Sequence, residues 1–103
     1  MTGPFPPGTY TRSMLPHKKK DYDHLVVGKQ YRVAREFVDH GKTLHLPGET
    51  WTFLGHNYHH MDEGRQLFVS LDGVNEWDLP LWGGDEKQLE VINYLEQYII
   101  AVP

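Results

Sequence analysis

Three histidines near the middle of the chain are the residues whose type and spacing could most directly perform chemistry. His56, His59 and His60 lie within five residues of one another, and the carboxylates Asp62 and Glu63 follow. Imidazole and carboxylate groups are the ligands that zinc, iron and nickel take when no cysteine is present. The pattern raises the hypothesis of a divalent metal site formed by His56, His59, His60 and Asp62, as in a metal-binding protein or a metal-dependent hydrolase.

The spacing of these residues argues against a metal site on a regular strand. His56 and His60 would point the same way from an extended chain but lie about 13 Å apart, at ~3.3 Å per residue. They could share one ion only if the chain turned and brought His40 or His45 alongside. We therefore favour structural or surface histidines, a residue type that can make a protein sensitive to pH near neutrality. No cofactor is predicted, and a divalent metal remains the alternative.

Carboxylates and hydroxyls elsewhere in the chain give no convincing catalytic set. Glu76 and Asp78 would project the same way from one strand, about 6–7 Å apart, a gap that a glycosidase pair could use. A chain of 103 residues leaves little room for a deep cleft, so a solvated strand face is the favoured interpretation. Ser70 lacks the glycine-flanked turn of a nucleophile elbow. The sequence therefore favours a protein that is not an enzyme, without catalytic residues.

Aromatic side chains are more numerous than a small core can easily bury. Tyr58, Trp77 and Trp82 are the candidates for a binding patch, and Gly83 and Gly84 would let Trp82 sit exposed on a hinge. Exposed aromatic side chains of this kind recognise extended peptide segments. We therefore predict a protein-interaction module with a protein partner, and the alternative is that Trp82 packs beneath a helix.

Composition and charge limit the other classes of function. Residues 1–24 carry four basic side chains against two acidic ones, whereas residues 25–103 carry six against twelve, a net charge of −6. Nucleic-acid binding requires cations for phosphate contacts, so a nucleic-acid-binding small barrel is only a third reading. The absence of cysteine fits a reducing compartment, and no apolar run is long enough to span a membrane. We expect a cytoplasmic protein, and the sequence predicts no oligomeric state.

The element that must position these residues is a central strand over residues 49–55. Trp51 and Phe53 alternate there with threonine and leucine, so they share one face and are predicted to lie in the core. Residues 1–21 are rich in proline and glycine, which predicts a disordered tail. Residues 22–103 are predicted to form a single small domain.

A helix is predicted to end the chain. Asp85 and Gln88 match a capping box, and apolar residues recur at helical spacing from Glu86 to about Ile100. About four short strands with tight turns precede the helix. The expected fold class is α+β, mainly β: a small bent antiparallel sheet or an SH3-like half-barrel with the C-terminal helix packed on it.

The order of turn and core residues carries a resemblance. The motifs are Leu25-x-x-Gly28-x-x-Tyr31, Phe37-x-Asp39, Gly48-Glu49-x-Trp51-x-Phe53 and Asp62-Glu63-Gly64. Over roughly residues 22–100 the chain resembles a family of small, mostly bacterial proteins known only as a domain of unknown function. The glycine and tyrosine of the first motif also look like the first strand of SH3-like barrels. The resemblance implies a fold, and it implies no activity, cofactor or catalytic residue.

Overall fold

The computed structural model describes residues 1–12 and 21–103 of the chain. The strands are β1 (Thr2–Phe5), β2 (Gln30–Val33), β3 (Phe37–Val38), β4 (Leu44–His45), β5 (Thr50–His59), β6 (Gly64–Ser70), β7 (Glu76–Trp82) and β8 (Ile99–Ala101). The helices are α1 (Glu86–Asn93) and α2 (Leu95–Tyr98). Six strands form one antiparallel sheet in the order β1-β7-β6-β5-β2-β8, and β3 and β4 form a separate two-stranded hairpin.

The predicted fold class is wrong. The described residues form a six-stranded sheet rather than one of about four strands, and this sheet is open, with β1 and β8 at its edges. An SH3-like half-barrel is therefore not what the chain adopts. The predicted terminal helix is also too long, because it breaks at Tyr94 (φ −124°, ψ 38°) and ends at Tyr98. The β-branched residues Ile99 and Ile100 then pair with β2, where strand conformation suits them.

The predicted central strand is confirmed as part of β5, which lies between β2 and β6. Trp51 and Phe53 are both buried in the main core. Strands β2, β6 and β7 and both helices complete that core with Tyr31, Val33, Leu67, Val69, Leu79, Leu81, Val91, Leu95 and Tyr98. The helices therefore cover the same face of the sheet that carries the two aromatic residues of β5.

A bulge at Gly55 changes which residues of β5 face the core. Phe53 lies opposite Val69 of β6, whereas Gly55 lies opposite Phe68, the neighbour of Val69. Because opposite residues of antiparallel strands share a face, the alternation along β5 reverses at this point. Gly55 has φ +148°, a conformation that other residues rarely adopt. His56 consequently lies on the same face as Phe53.

The prediction of a disordered tail over residues 1–21 is wrong for residues 1–12. β1 pairs with the outer edge of β7, and the chain that follows wraps around Glu76. The Glu76 carboxylate accepts hydrogen bonds from the backbone N–H groups of Gly8 (2.7 Å), Tyr10 (2.8 Å) and Thr11 (3.2 Å), and from the Thr11 hydroxyl (2.6 Å). These partners are 65 to 68 residues away in sequence, so local composition could not reveal them. Residues 13–20 of the predicted tail lie outside the described residues.

The solvated strand face predicted for Glu76 is also wrong, because Glu76 is buried beneath the N-terminal segment. Tyr10 stacks on Phe68 with ring centroids 4.7 Å apart, and Phe5 meets Tyr10 edge-on. Burial opposes ionisation of Glu76, but the hydrogen bonds from Thr11, Gly8 and Tyr10 outweigh it and lower the pKa of Glu76. Glu76 is therefore an ionised anchor for residues 8–11.

The start of α1 agrees with the sequence prediction in part. Asp85 is the N-cap, and its side chain accepts hydrogen bonds from the N–H groups of Lys87 and Gln88. Gln88, however, does not complete the capping box with its own side chain. Its side-chain oxygen instead accepts a hydrogen bond from the N–H of Trp82 at 2.8 Å. This bond ties the end of β7 to the first turn of α1.

Candidate functional site

A groove with a volume of about 710 Å³ lies between the β3–β4 hairpin and α1. Its apolar lining consists of Phe37, Val38, Leu44, Trp82, Val91 and Tyr98. Acidic side chains on its lining are Glu36, Asp39, Asp85 and Glu90, and basic ones are Lys42 and Lys87. We refer to this recess as the hairpin groove.

The hairpin exposes two aliphatic side chains to the groove. Val38 and Leu44 are cross-strand partners, and they are 48% and 49% exposed. Alternation along the two strands explains their exposure, because the neighbours Phe37 and His45 point the other way and are buried. The outer side of the hairpin is therefore apolar and uncovered over these residues, unlike the outer side of an ordinary surface hairpin.

Trp82 lies at one end of the groove and is 37% exposed. Its indole N–H donates a hydrogen bond to the backbone carbonyl of Asp62, and the His40 ring lies 5.4 Å away at 49°. A side chain at Gly84 would come within 2.3 Å of the indole ring, so glycine is required for this close approach. These contacts fix the indole at the groove rather than leaving it on a free hinge.

A buried charged cluster lies behind the hairpin. The His45 ring, which has no exposed side-chain surface, places Nε2 2.8 Å from Asp39 and Nδ1 2.7 Å from Glu49. Asp39 also accepts hydrogen bonds from the amino group of Met1 (2.6 Å) and the N–H of Thr43 (3.1 Å). We call Asp39, His45 and Glu49 the buried triad.

The contacts of the triad decide its ionisation. Burial opposes the charged form of Asp39, but hydrogen bonds from His45, Met1 and Thr43 outweigh it and lower the pKa of Asp39. Burial also opposes the charged form of His45, but hydrogen bonds to Asp39 and Glu49 outweigh it and raise the pKa of His45. The stable arrangement is therefore an imidazolium between two carboxylates.

These two pKa shifts predict how stability depends on pH. The contribution of His45 is full below about pH 6.5 and is lost as the pH rises through its folded pKa. The contribution of Asp39 is lost as the pH falls through its lowered folded pKa. Urea denaturation of the protein from pH 5 to 9 is expected to give a free energy of unfolding that falls above neutrality, with a limiting slope of about 1.4 kcal/mol per pH unit for one proton. A flat profile over this range would contradict the assignment of His45 as charged.

A second, smaller recess of about 420 Å³ lies on the far side of Trp82, with His40, His59, Asp62 and Gln66 on its lining. The His59 ring contacts the side-chain oxygen of Gln66 at 2.9 Å, and the Gln66 amide donates to Asp78 at 3.0 Å. Burial raises the pKa of Asp78. His59, Gln66 and Asp78 are thus already engaged with one another.

The four predicted metal ligands do not converge on one point. The His56 ring packs 5.0 Å from Tyr22 on the core face of β5, whereas His59 contacts Gln66 on the opposite face. The His60 ring lies edge-on to Tyr58, 4.6 Å between centroids, and Asp62 accepts a hydrogen bond from the N–H of Gly64. Within residues 1–12 and 21–103 there is no group of three His, Asp or Glu side chains arranged to hold a metal ion.

The three predicted binding residues are not on one patch. Tyr58 is 38% exposed with Arg65 over its ring at 4.9 Å, and the strand register places it on the opposite face of the sheet from Trp82. Trp77 packs partly buried against the core, and Gly3 lies directly against its ring. Only Trp82 lies in the hairpin groove.

The residues that build the groove wall were not singled out from the sequence. Val38 and Leu44 lie in strands of two residues each, which are too short for an alternation to be seen. His45 and Asp39 are neighbours in space only because the hairpin folds back. The one available signal was the Asp39-His40-Gly41-Lys42 turn, which correctly predicts a reversal of the chain.

Comparison with solved structures shows what the fold is similar to. The chain is similar to an integron cassette protein from the mobile metagenome of Vibrio cholerae. The two superpose with a TM-score of 0.77 and are 28% identical, and the match covers 84% of this chain and 94% of the other. No protein-family model matches the sequence, and no curated protein matches it.

The absence of a matching family model is compatible with the resemblance to a family of unknown function. The SH3-like part of the resemblance receives no support from either the fold or the comparison. In the described ranges no helix is both long enough and apolar enough to cross a membrane.

Proposed function

We propose that the protein is a non-enzymatic interaction module that binds an extended segment of a protein partner in the hairpin groove. The observation that carries this proposal is the apolar, uncovered wall formed by Val38 and Leu44 opposite α1, with the fixed indole of Trp82 at its end. Aromatic and aliphatic side chains around a groove provide the anchoring pockets of many peptide-binding sites.

The charge of the groove favours a basic partner segment, and its apolar lining favours one large apolar side chain in that segment. Residues 25–103 have a net charge of −6, and the acidic side chains Glu36, Asp85 and Glu90 outnumber Lys42 and Lys87 on the groove lining. Complementary charge accelerates association and excludes wrong partners, while an apolar anchor supplies most of the affinity. A cytoplasmic location is part of the proposal, supported by the absence of cysteine.

The alternatives have less support. A metal-dependent function would need His56, His59, His60 and Asp62 to converge, and they point to different surroundings. A nucleic-acid-binding function would need a basic face, which the net charge of −6 over residues 25–103 does not favour.

The proposal is tested by selecting binders from a displayed library of random 12-residue peptides and measuring their affinity by isothermal titration calorimetry. We expect selected peptides to be basic with an apolar anchor. Leu44→Asp and Trp82→Ala are each expected to weaken binding at least about tenfold, since both remove apolar contacts from the lining of the groove. Val74→Asp is the matched control, because Val74 is an exposed aliphatic residue in the β6–β7 turn, away from the groove.

The affinity measured for the three variants decides between specific and general binding. Equal weakening by Val74→Asp would mean that the peptides bind by general charge or hydrophobicity. Failure to select any peptide whose binding depends on Leu44 or Trp82 would overturn the proposed use of the hairpin groove.

A further inference from the structure

The buried triad has a property that its distances alone establish. Both ring nitrogens of His45 lie within hydrogen-bond distance of a carboxylate oxygen, at 2.8 Å for Asp39 and 2.7 Å for Glu49. A neutral imidazole has only one N–H and can donate to only one of these carboxylates. Two donated hydrogen bonds therefore require a proton on each nitrogen of His45.

The triad connects the segments of the chain that position Val38 and Leu44, the two residues that form the wall of the hairpin groove. Asp39 directly follows Val38, and His45 directly follows Leu44, so each wall residue is next in sequence to a member of the triad. Alternation directs Val38 and Leu44 into the groove while Asp39 and His45 point inwards. Glu49 comes from the segment before β5 and ties the hairpin to the main sheet.

We infer that the proton on His45 holds the hairpin wall against the main sheet, and that its loss at alkaline pH loosens the wall and opens the hairpin groove. Release of a bound segment as the groove opens rests on the proposed function, whereas the movement of the wall does not. The groove would thus bind its partner at neutral and mildly acidic pH, and its affinity for the partner would fall at higher pH.

The charges around His45 give this inference its direction. The charged groups that face it are the carboxylates of Asp39 and Glu49, and the amino group of Met1 lies beyond Asp39. Phe37, stacked on the ring at 4.7 Å, offers no charge and no hydrogen bond. A neutral His45 would leave one ring lone pair facing a carboxylate, and it would leave two nearby negative charges with only the Met1 amino group for compensation. The wall would move to relieve this repulsion.

The inference is tested first by NMR on the unmodified protein between pH 5.5 and 9.5. Long-range proton–nitrogen spectra of the imidazole ring are expected to show His45 doubly protonated at pH 6 and losing that proton only above the ordinary histidine pKa. The amide groups of Asp39 and Thr43, which close the hairpin, are expected to lose protection from hydrogen exchange in the same step. A neutral His45 at pH 6, or hairpin amides that stay equally protected throughout, would overturn the inference whether or not any peptide binds.

Glu49→Gln provides the matched variant, because it keeps a hydrogen-bond acceptor and removes one of the two negative charges. The midpoint of His45 titration and of hairpin exchange should both fall by about one pH unit. His40→Gln is the control, because His40 lines the groove whereas His45 lies behind the hairpin, and it should leave both midpoints unchanged. If His40→Gln instead shifts the midpoint of His45 titration or of hairpin exchange, the inference is wrong.

The affinity of a selected peptide supplies the functional readout. We expect at least a tenfold loss of affinity between pH 6.5 and 9, with a midpoint that shifts in Glu49→Gln and not in His40→Gln. A peptide could bind equally at both pH values even though the hairpin loosens at the higher one. This result would show that the affinity of the groove does not depend on the protonation of His45, and it would overturn the functional part of the inference. The absence of any groove-binding peptide would count against the proposed function alone, since the NMR result still decides whether the wall loosens when His45 loses its proton.

Discussion

Replacing Asp39 with asparagine is expected to lower the free energy of unfolding by about 3–5 kcal/mol. The Asp39 side chain has no exposed surface and faces two cationic groups, the Met1 amino group and the His45 ring. Asparagine has a similar shape but no charge, and its NH₂ group would face at least one of the three donors that the Asp39 carboxylate accepts from. The Met1 amino group would lose its carboxylate partner and the His45 ring would keep only Glu49, which is the costly way to break a buried ion pair.

Urea denaturation followed by tryptophan fluorescence measures this effect. Asp62→Asn is the matched control, since Asp62 is exposed and an asparagine there can still accept the hydrogen bond from Gly64. The control is expected to change the free energy of unfolding by less than about 0.5 kcal/mol. A loss below about 1 kcal/mol for Asp39→Asn would mean that the buried triad contributes little to holding the hairpin.

Replacing Glu76 with alanine is expected to release the N-terminal segment and to lower the free energy of unfolding by about 2–4 kcal/mol. The Glu76 carboxylate is the common acceptor for three backbone N–H groups and one hydroxyl of residues 8–11. Hydrogen bonds to a charged group are among the stronger ones, and alanine would leave all four donors to find water. The stacking of Tyr10 on Phe68 would then be lost with the segment.

Hydrogen–deuterium exchange locates this effect, because residues 2–12 should lose protection while β5 and β6 keep theirs. Glu96→Ala, on the exposed side of α2, is the control for losing a glutamate and should leave the N-terminal segment protected. Continued protection of residues 2–12 in Glu76→Ala would show that β1 pairing alone holds the segment. Protection of residues 2–12 in Glu76→Gln should lie between that in Glu76→Ala and that in Glu96→Ala, because the glutamine side-chain oxygen can still accept some of the four hydrogen bonds.

The two predictions concern carboxylates that serve the same structural purpose at opposite ends of β7. Glu76 lies at the start of β7 and binds residues 8–11. Asp39 lies in the hairpin next to the end of β7 and accepts a hydrogen bond from the Met1 amino group. The hairpin is joined to the end of β7 by the hydrogen bond from the His40 N–H to the Pro80 carbonyl at 2.9 Å. Proline can offer no N–H of its own, so an irregular partner suits this end of the strand better than a further strand.

Some of the fold could be predicted because its causes are local. The alternation around Trp51 and Phe53 indicated a core strand, the Asp39–Lys42 sequence indicated a turn, and Asp85 indicated a helix start. In each case the neighbours in sequence are also the neighbours in space. Trp82 as a binding residue stays a prediction; the side chain is exposed on the groove lining, and its indole is fixed by Asp62 and Gly84 rather than free.

The errors share a different physical cause. Residues 1–12 were assigned to a tail since their composition is poor in core residues, yet a single buried carboxylate far along the chain orders them. The apolar spacing predicts a helix to about Ile100, but pairing of Ile99 and Ile100 with β2 outweighs helical propensity there. The histidines of β5 were grouped by sequence, and the strand register then placed His56 and His59 on opposite faces.

The sequence by itself determined the central strand, the turns, the helix cap and an acidic surface, because these depend on residue type and on near neighbours. The tertiary structure alone decided which side chains meet at the hairpin groove and that His45 is charged. Folding brings the carboxylates of Asp39 and Glu49, which lie six and four residues away in sequence, to the two nitrogens of the His45 ring. Contacts of this kind depend on chain reversals and strand register, and a register shift of one residue exchanges the two faces of a strand.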